Sequence, residues 1–337
     1  MRLYRSAVAF AALALCALVG TRPIAAEELI DSTTAIPVYS LAFMTEMYAQ
    51  DMKLYQKHGV NMKMLQINGL GTINAVIAGS VDFGQPSGVS LIRAASRGQP
   101  LLAIVEFTDH ITVQVVLRKE LAEAAGFDPK APLERRALVL KGRTLAVDSV
   151  NSIIDAYLGL LAKHAGFIHD DMRIAPMEPP AMISAFAAKQ IDGFAMSLPW
   201  TQIPIVAGDA VMVASGPDGD TVGLDPFANT VVVTKPATCE KNPKLCLAVG
   251  QTFADASAMM HAHPEEAMDV LRKRFPTLDP KVLSASFAEA LKMTPNPPVP
   301  TALGFENTDN YNIQAGLMKA DEKLSDYSKL FTDKYVK

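Results

Sequence analysis

The feature that most limits what this chain can fold into is a repeated unit of strand, turn and helix. Val60 to Ile67 alternates apolar and polar residues, Asn68-Gly69-Leu70-Gly71-Thr72 forms a turn, and Ile73 to Ala78 reads as an apolar helix. The unit returns at once in Val81 to Gly84, the turn Gln85 to Gly88, a helix from Val89 to Ser96 and the strand Leu101 to Phe107. It restarts after His110, with strands at Thr112 to Leu117 and Thr144 to Val147, the polar turn Asp148 to Ser152, and a helix from Ile153 to His164. Met172 to Pro176, a helix from Pro180 to Lys189, Ile191 to Met196 and Val211 to Ala214 complete this second block. Strands alternating with helices predict mostly parallel, doubly wound sheets of the α/β class. Thr230 to Thr234 reads as a return crossing, and Asn242 to Lys337 as largely helical, so two α/β lobes are expected, joined by two crossings. Ahead of the first turn lie a strand at Glu28 to Thr33 and one helical stretch from Leu41 to Tyr55.

Composition agrees with a globular chain long enough for two such lobes: 337 residues, 50% hydrophobic and 20% charged. Residues 1 to 26 stand apart. Arg2 and Arg5 precede an apolar run from Ala7 to Val19, and the small residues Ala25 and Ala26 follow, the pattern of a cleavable secretory signal cut near Ala26. The run is shorter than the ~20 residues of a membrane span. Lipid attachment at Cys16 is the competing reading, against which stands the bulky Leu15 before it. The mature chain would keep 28 basic against 35 acidic residues, a balance unsuited to nucleic acid or an anionic membrane. Cys239 and Cys246 remain as an even pair in an exported chain and are expected to form a local disulfide; a zinc site there would lack further His or Cys ligands.

With these elements placed, the chain resembles the periplasmic solute-binding proteins of ABC importers in the nitrate, sulfonate and taurine family, which has relatives that handle thiamine-pyrimidine precursors. The resemblance is carried, in order, by Ala49 to Val60, Gly69 to Ala78, Ala78 to Gly84, Leu140 to Val147, and Pro180 to Ile183 through Gln190 to Phe194 and Pro199. It implies the two-lobed type II periplasmic-binding-protein fold, with lobe I from residues 27 to 110 and 233 to 337 and lobe II from 111 to 232. It further implies a monomer in the periplasm that captures a small-molecule solute, uses no cofactor and delivers its cargo to a membrane permease and its ATPase.

Ligands of such sheets sit beyond the carboxyl ends of strands, where free backbone N–H groups at helix starts receive anions. The turns Gly69 to Thr72, Gln85 to Gly88 and Ser149 to Ser152 are therefore candidate donors, with Gly71, Thr72, Gln85, Ser87, Asn151 and Ser152 as ligand contacts. Gly71 equally suits a tight turn, and Thr72, Ser87, Asn151 and Ser152 equally suit helix caps. If the first strand ends near Thr33, then Thr34, Ile36 and Tyr39 face the cleft. Thr108 and His110 lie at the first crossing, Phe227 and Asn229 at the second, and Trp200, the sole tryptophan, is a candidate cover for an apolar solute or a core residue. Asn229 stands where taurine-binding relatives place an acid, which argues against taurine. The candidate turns hold no Arg or Lys, which favours a monoanionic or neutral organic solute, sulfonate-like, carboxylate-like or heteroaromatic, over a strongly hydrated divalent oxyanion.

Catalysis finds little footing. The chain contains no Gly-x-Ser-x-Gly elbow, no His-Glu-x-x-His motif and no phosphate loop with Lys. His261 and His263 fall on different helix faces, so no metal pair is expected there. Pyrimidine-synthesising relatives use a cysteine-rich segment that this chain lacks. A periplasmic sensor built on the same cleft remains the alternative to import, separable by whether deletion abolishes uptake or signalling.

Overall fold

The computed structural model describes residues 28–337. The secretory signal expected over residues 1 to 26 lies outside the described residues. Among the described residues ten strands form two five-stranded sheets: β1 (Ile30–Ile36), β2 (Val60–Gln66), β3 (Phe83–Gly84), β4 (Leu102–Thr108), β5 (Gln114–Arg118), β6 (Thr144–Val147), β7 (Arg173–Pro176), β8 (Gly193–Met196), β9 (Ala210–Ser215) and β10 (Thr230–Thr234). The strand orders are β2-β1-β3-β10-β4 and β7-β6-β8-β5-β9.

This is the two-lobed α/β architecture expected, with one refinement. In the first sheet β1 runs parallel to β2 and β3, and β10 is antiparallel to both its neighbours. In the second, β6 runs parallel to β7 and β8, and β5 is antiparallel to β8 and β9. Each sheet therefore has four strands in one direction and one against, and the odd strand occupies the same slot in both. In each case it is the strand next to a crossing, β5 entering the second lobe and β10 returning to the first.

The first sheet is covered on both faces. One face packs against Met47, Tyr48, Phe253 and Phe287 of the helices that flank it, and the other against Ile73, Leu91, Ile92 and Phe305. A third cluster, centred on Val115, Leu145, Tyr157, Leu161 and Phe194, fills the second lobe. Burial on both faces explains the near-continuous apolar strands Thr230–Thr234 and Gln114–Arg118.

Helix and strand bounds depart from expectation in two places that bear on the site. The first strand continues to Ile36, three residues beyond Thr33. The expected single helix from Leu41 to Tyr55 is divided into Met44–Asp51 and Leu54–Lys57, because Lys53 adopts a left-handed backbone (φ 56°). Cys239 and Cys246 are joined as a disulfide, linking helix Pro236–Lys241 to helix Pro243–Ala262 across the break at Asn242.

Candidate functional site

Between the sheets lies a cavity of about 630 Å³. Its walls come from the loops that follow the carboxyl ends of strands, the place where parallel sheets expose helix starts and strand-end side chains. From the first lobe come Pro37 and Val38 after β1, Asn68 to Leu70 after β2, and Pro86 and Ser87 after β3. The second lobe contributes Asp148 to Ile154 after β6, Glu178 and Pro179 after β7, and Met196 and Ser197 at the end of β8. Thr112, Asn229 and Thr230 supply the wall where the chain passes between lobes.

The helix starts are built for tight fit. Ser87 caps helix Gly88–Ala95 by accepting from the Ser90 N–H at 3.3 Å. The Gly88 N–H donates to the Asn229 carbonyl at 2.9 Å, and a Cβ on Gly88 would lie 2.0 Å from the Ala228 carbonyl oxygen, so only glycine lets the return crossing press against this helix start. Opposite, the Ser152 hydroxyl accepts from the N–H groups of Ile154 and Asp155, both at 3.2 Å, and donates to Asp148 Oδ1 at 2.6 Å. Asn151 is left-handed (φ 60°), and its N–H is held by Asp155 Oδ2 at 2.8 Å. Several N–H groups that sequence reading offered to an anion are thus consumed by the turn itself, and Asp148 and Asp155 place carboxylates beside it.

The lobes touch at the rim. Asn68 Nδ2 donates to Glu178 Oε1 at 3.5 Å, Arg93 Nη1 to the Asn151 carbonyl at 3.4 Å, and Tyr311 Oη to the Ile153 carbonyl at 2.6 Å. Arg93 reaches the cavity from helix Gly88–Ala95, where Val89, Ser90 and Arg93 share one face. Burial and the neighbouring Arg97 hold the Arg93 guanidinium below its usual pKa. Burial pushes the Asp148 carboxyl above its usual range. The rest of the lining is largely apolar: Val38, Ala42, Phe43, Leu70, Val150 and Met196 among others.

Of the residues singled out in the sequence, Ser87, Asn151, Ser152 and Asn229 line the cavity together. The others lie elsewhere, for identifiable reasons. Because β1 extends to Ile36, Thr34 and Ile36 are buried strand positions, and Tyr39 points to solvent. Gln85 turns beneath the floor, where its amide donates to Thr34 Oγ1 at 3.2 Å and to the buried Glu46 at 2.7 Å. Gly71 packs against the Ile67 side chain, and Thr72 donates to the Ile67 carbonyl at 2.5 Å. Thr108 is buried against the Ala42 carbonyl at 3.3 Å. His110 pairs with Asp109 at 2.6 Å, which raises its pKa, and it lies 3.7 Å from Asp225. Phe227 is fully buried edge-on to Tyr311, and Trp200 packs against the core of the second lobe.

Sequence reading missed Arg93 and Glu178. Glu178 lies two residues beyond the end of β7, so the strand-end rule applied to β6 would have found it too. Arg93 sits two turns into a helix, and its only signal was the shared face with Val89. The candidate turns themselves hold no Arg or Lys, and the cation of the lining comes instead from the helix that follows one of them.

Similar chains are found among known proteins. A curated protein of Brucella abortus (strain 2308), provisionally named a binding protein, is 28% identical over 230 residues, covering 67% of this chain but only 65% of that relative. A solved structure from Bordetella bronchiseptica RB50 has a TM-score of 0.76 at 15% identity, covering 91% of this chain and 95% of the other. The alkanesulfonate-binding protein SsuA of Xanthomonas axonopodis pv. citri, solved with MOPS bound, has a TM-score of 0.65 at 17% identity, covering 86% and 94%. These structural likenesses establish the fold. Over residues 41–267, well over half of its length, the chain matches the family described as NMT1/THI5 like, and it belongs to that family.

Proposed function

We propose that this protein is the solute-capturing component of an ABC-type import system, exported behind residues 1 to 26, acting in the periplasm as a monomer, and handing its cargo to a membrane permease and its ATPase. Lobe I comprises residues 27 to 110 and 233 to 337, lobe II residues 111 to 232, and the two close on the solute as hinged bodies do. The observation that carries this reading is the cavity of about 630 Å³, walled by strand ends of both sheets and bridged at its rim from lobe to lobe. That volume suits a small organic molecule. Its largely apolar lining favours a carbon skeleton, and Arg93 offers an acidic group its partner, so the solute is a small organic acid or heteroaromatic compound. The sulfonate bound by a structural neighbour and the binding-protein name of the curated relative support the same class of activity.

A solute that binds only the folded state raises the melting temperature. Across sulfonates, aliphatic and aromatic carboxylates, nitrate and pyrimidines, at least one organic compound is expected to raise it by several degrees. Val150→Trp, at an exposed lining position, fills the mouth and abolishes that rise while leaving the fold intact. No shift from any compound, or an undiminished shift in the variant, overturns the proposal.

A further inference from the structure

The cavity is charged unevenly. Its one basic side chain, Arg93, stands on the first lobe, and its two carboxylates, Asp148 and Glu178, stand on the second. Arg93 makes no ion pair among the described residues; its hydrogen bond is the long one to the Asn151 carbonyl. Asp148 holds the Ser152 hydroxyl through Oδ1 and the backbone N–H of Ser149 but makes no ion pair among the described residues, and Glu178 holds only the distant Asn68 amide. A separate observation comes from the return crossing. Asn229 is 4% exposed and lines the cavity; its Nδ2 donates to Thr230 Oγ1 at 2.9 Å and Thr112 Oγ1 at 3.3 Å, while its Oδ1 has no partner. A buried acceptor left bare is costly, so this atom calls for a donor.

Two carboxylates and one bare amide oxygen thus stand against a single cation, the carboxylates on the second lobe and Arg93 on the first. A plain anion would satisfy Arg93 but bring no cation to Asp148 and Glu178 and no donor to Asn229 Oδ1, while adding like-charge repulsion from the second lobe. Resting on the solute-capture reading above, we propose that the solute is dipolar: an acidic end meets Arg93, and a cationic or hydrogen-bond-donating nitrogen meets Asp148 and Glu178, with Asn229 Oδ1 taking a further N–H or O–H. Burial that makes Asp148 reluctant to ionise alone is offset when a cation arrives, which gives the nitrogen an added advantage over a neutral carbon group. The overall neutrality of such a solute agrees with the absence of any second basic side chain in the lining.

The test uses matched pairs on the full mature chain by calorimetry: 4-(aminomethyl)benzoate against 4-methylbenzoate, and 3-aminopropanesulfonate against propanesulfonate, with benzylamine as the acid-free control. The amino acid of at least one pair is expected to bind 10-fold or more tighter than its amine-free partner and than benzylamine. Glu178→Gln, at an exposed position, and Asp148→Asn should each shrink that preference several-fold, whereas Arg93→Ala weakens both members of a pair. If Asp148→Asn disturbs the turn that Ser152 caps, Glu178→Gln carries the test alone. An amine-free acid binding as tightly as its partner overturns this inference and leaves solute capture standing. Failure of all five compounds to bind also counts against it, and only a silent panel of the broader kind described above counts against solute capture itself.

Discussion

The first and second sheets place their odd strand in the same slot, yet the ionisable groups buried behind them are neutralised in different ways. In the first lobe Glu46 accepts from Tyr55 Oη at 2.6 Å, from Gln85 at 2.7 Å and from Gln50 at 3.0 Å, all neutral donors, and burial raises its pKa. Glu106, on β4, has only the Thr301 N–H at 3.1 Å, and its Oε1 is unpartnered. In the second lobe buried charges face opposite charges: Asp155 meets His169 at 2.8 Å, and Arg118 lies within 4.0 Å of Glu120 and Asp192. The polar centre behind β5 there is uncharged, with Gln114 Oε1 accepting from Thr201 at 2.5 Å and Gln202 at 3.3 Å, and Gln114 Nε2 donating to Ser215 at 3.1 Å. Strand order therefore leaves the interior chemistry open. The first lobe holds carboxyls whose pKa burial raises and which neutral donors meet, and the second, apart from the likewise raised Asp148, holds ion pairs and neutral hydrogen bonds.

The largest expected consequence concerns Glu106. Burial lifts its pKa from the ordinary 4.5 to about 8. Between those values the unfolded chain has released the proton and the folded chain retains it, so the unfolded state binds fewer protons and stability falls as pH rises. Glu106→Gln keeps the acceptor for Thr301 and removes the titration. From pH 5 to pH 8 the parent should lose roughly 3 kcal/mol more unfolding free energy than the variant, read by urea denaturation. Parallel pH profiles would erase the difference between the lobes.

The counterpart in the second lobe is smaller and of another kind. Gln114→Ala strands buried hydroxyl and amide groups of Thr201, Gln202 and Ser215, which should cost about 1–3 kcal/mol. Because no ionisable group takes part, the loss should be equal at pH 5 and pH 8. A loss that grows with pH would show that a titrating group lies within this network after all.

Much of this architecture is legible in the residues. Thr144–Val147, Ile153–His164 and Thr230–Thr234 follow directly from alternation, helical period and caps. The break at Lys53 is hidden because the apolar period runs on through Leu54 and Tyr55 while one backbone turns left-handed. Of the cleft, strand-end turns and caps point to Ser87, Asn151 and Ser152, and the crossing points to Asn229. Thr34 and Ile36 mislead because a strand end can shift by three residues without changing its alternation, and Gln85 because nothing local shows that Glu46, 39 residues earlier, will draw its amide under the floor. Glu106 reads as one polar residue in an apolar strand; its burial comes from the segment around Thr301, 195 residues later.

The smallest effect tests the charge pairing of the second lobe most directly. His169, a third exposed, donates from Nε2 to Asp155 Oδ1, and this bond, ahead of the opposing effect of burial, raises its pKa above the ordinary 6.5. A raised histidine stabilises the fold fully below its unfolded pKa, and that contribution disappears as pH climbs through the folded value. After allowance for solvent screening, it should amount to less than about 1 kcal/mol. His169→Gln can still donate a neutral hydrogen bond to Asp155, so the variant should be less stable than the parent at pH 5.5 and nearly equal to it at pH 8. Asp155 would keep its grip on the Asn151 N–H, so solute affinity at pH 8 should be unchanged. Equal destabilisation at both pH values would mean that the pair is a neutral hydrogen bond, and the second lobe would then meet its buried carboxylate much as the first meets Glu46.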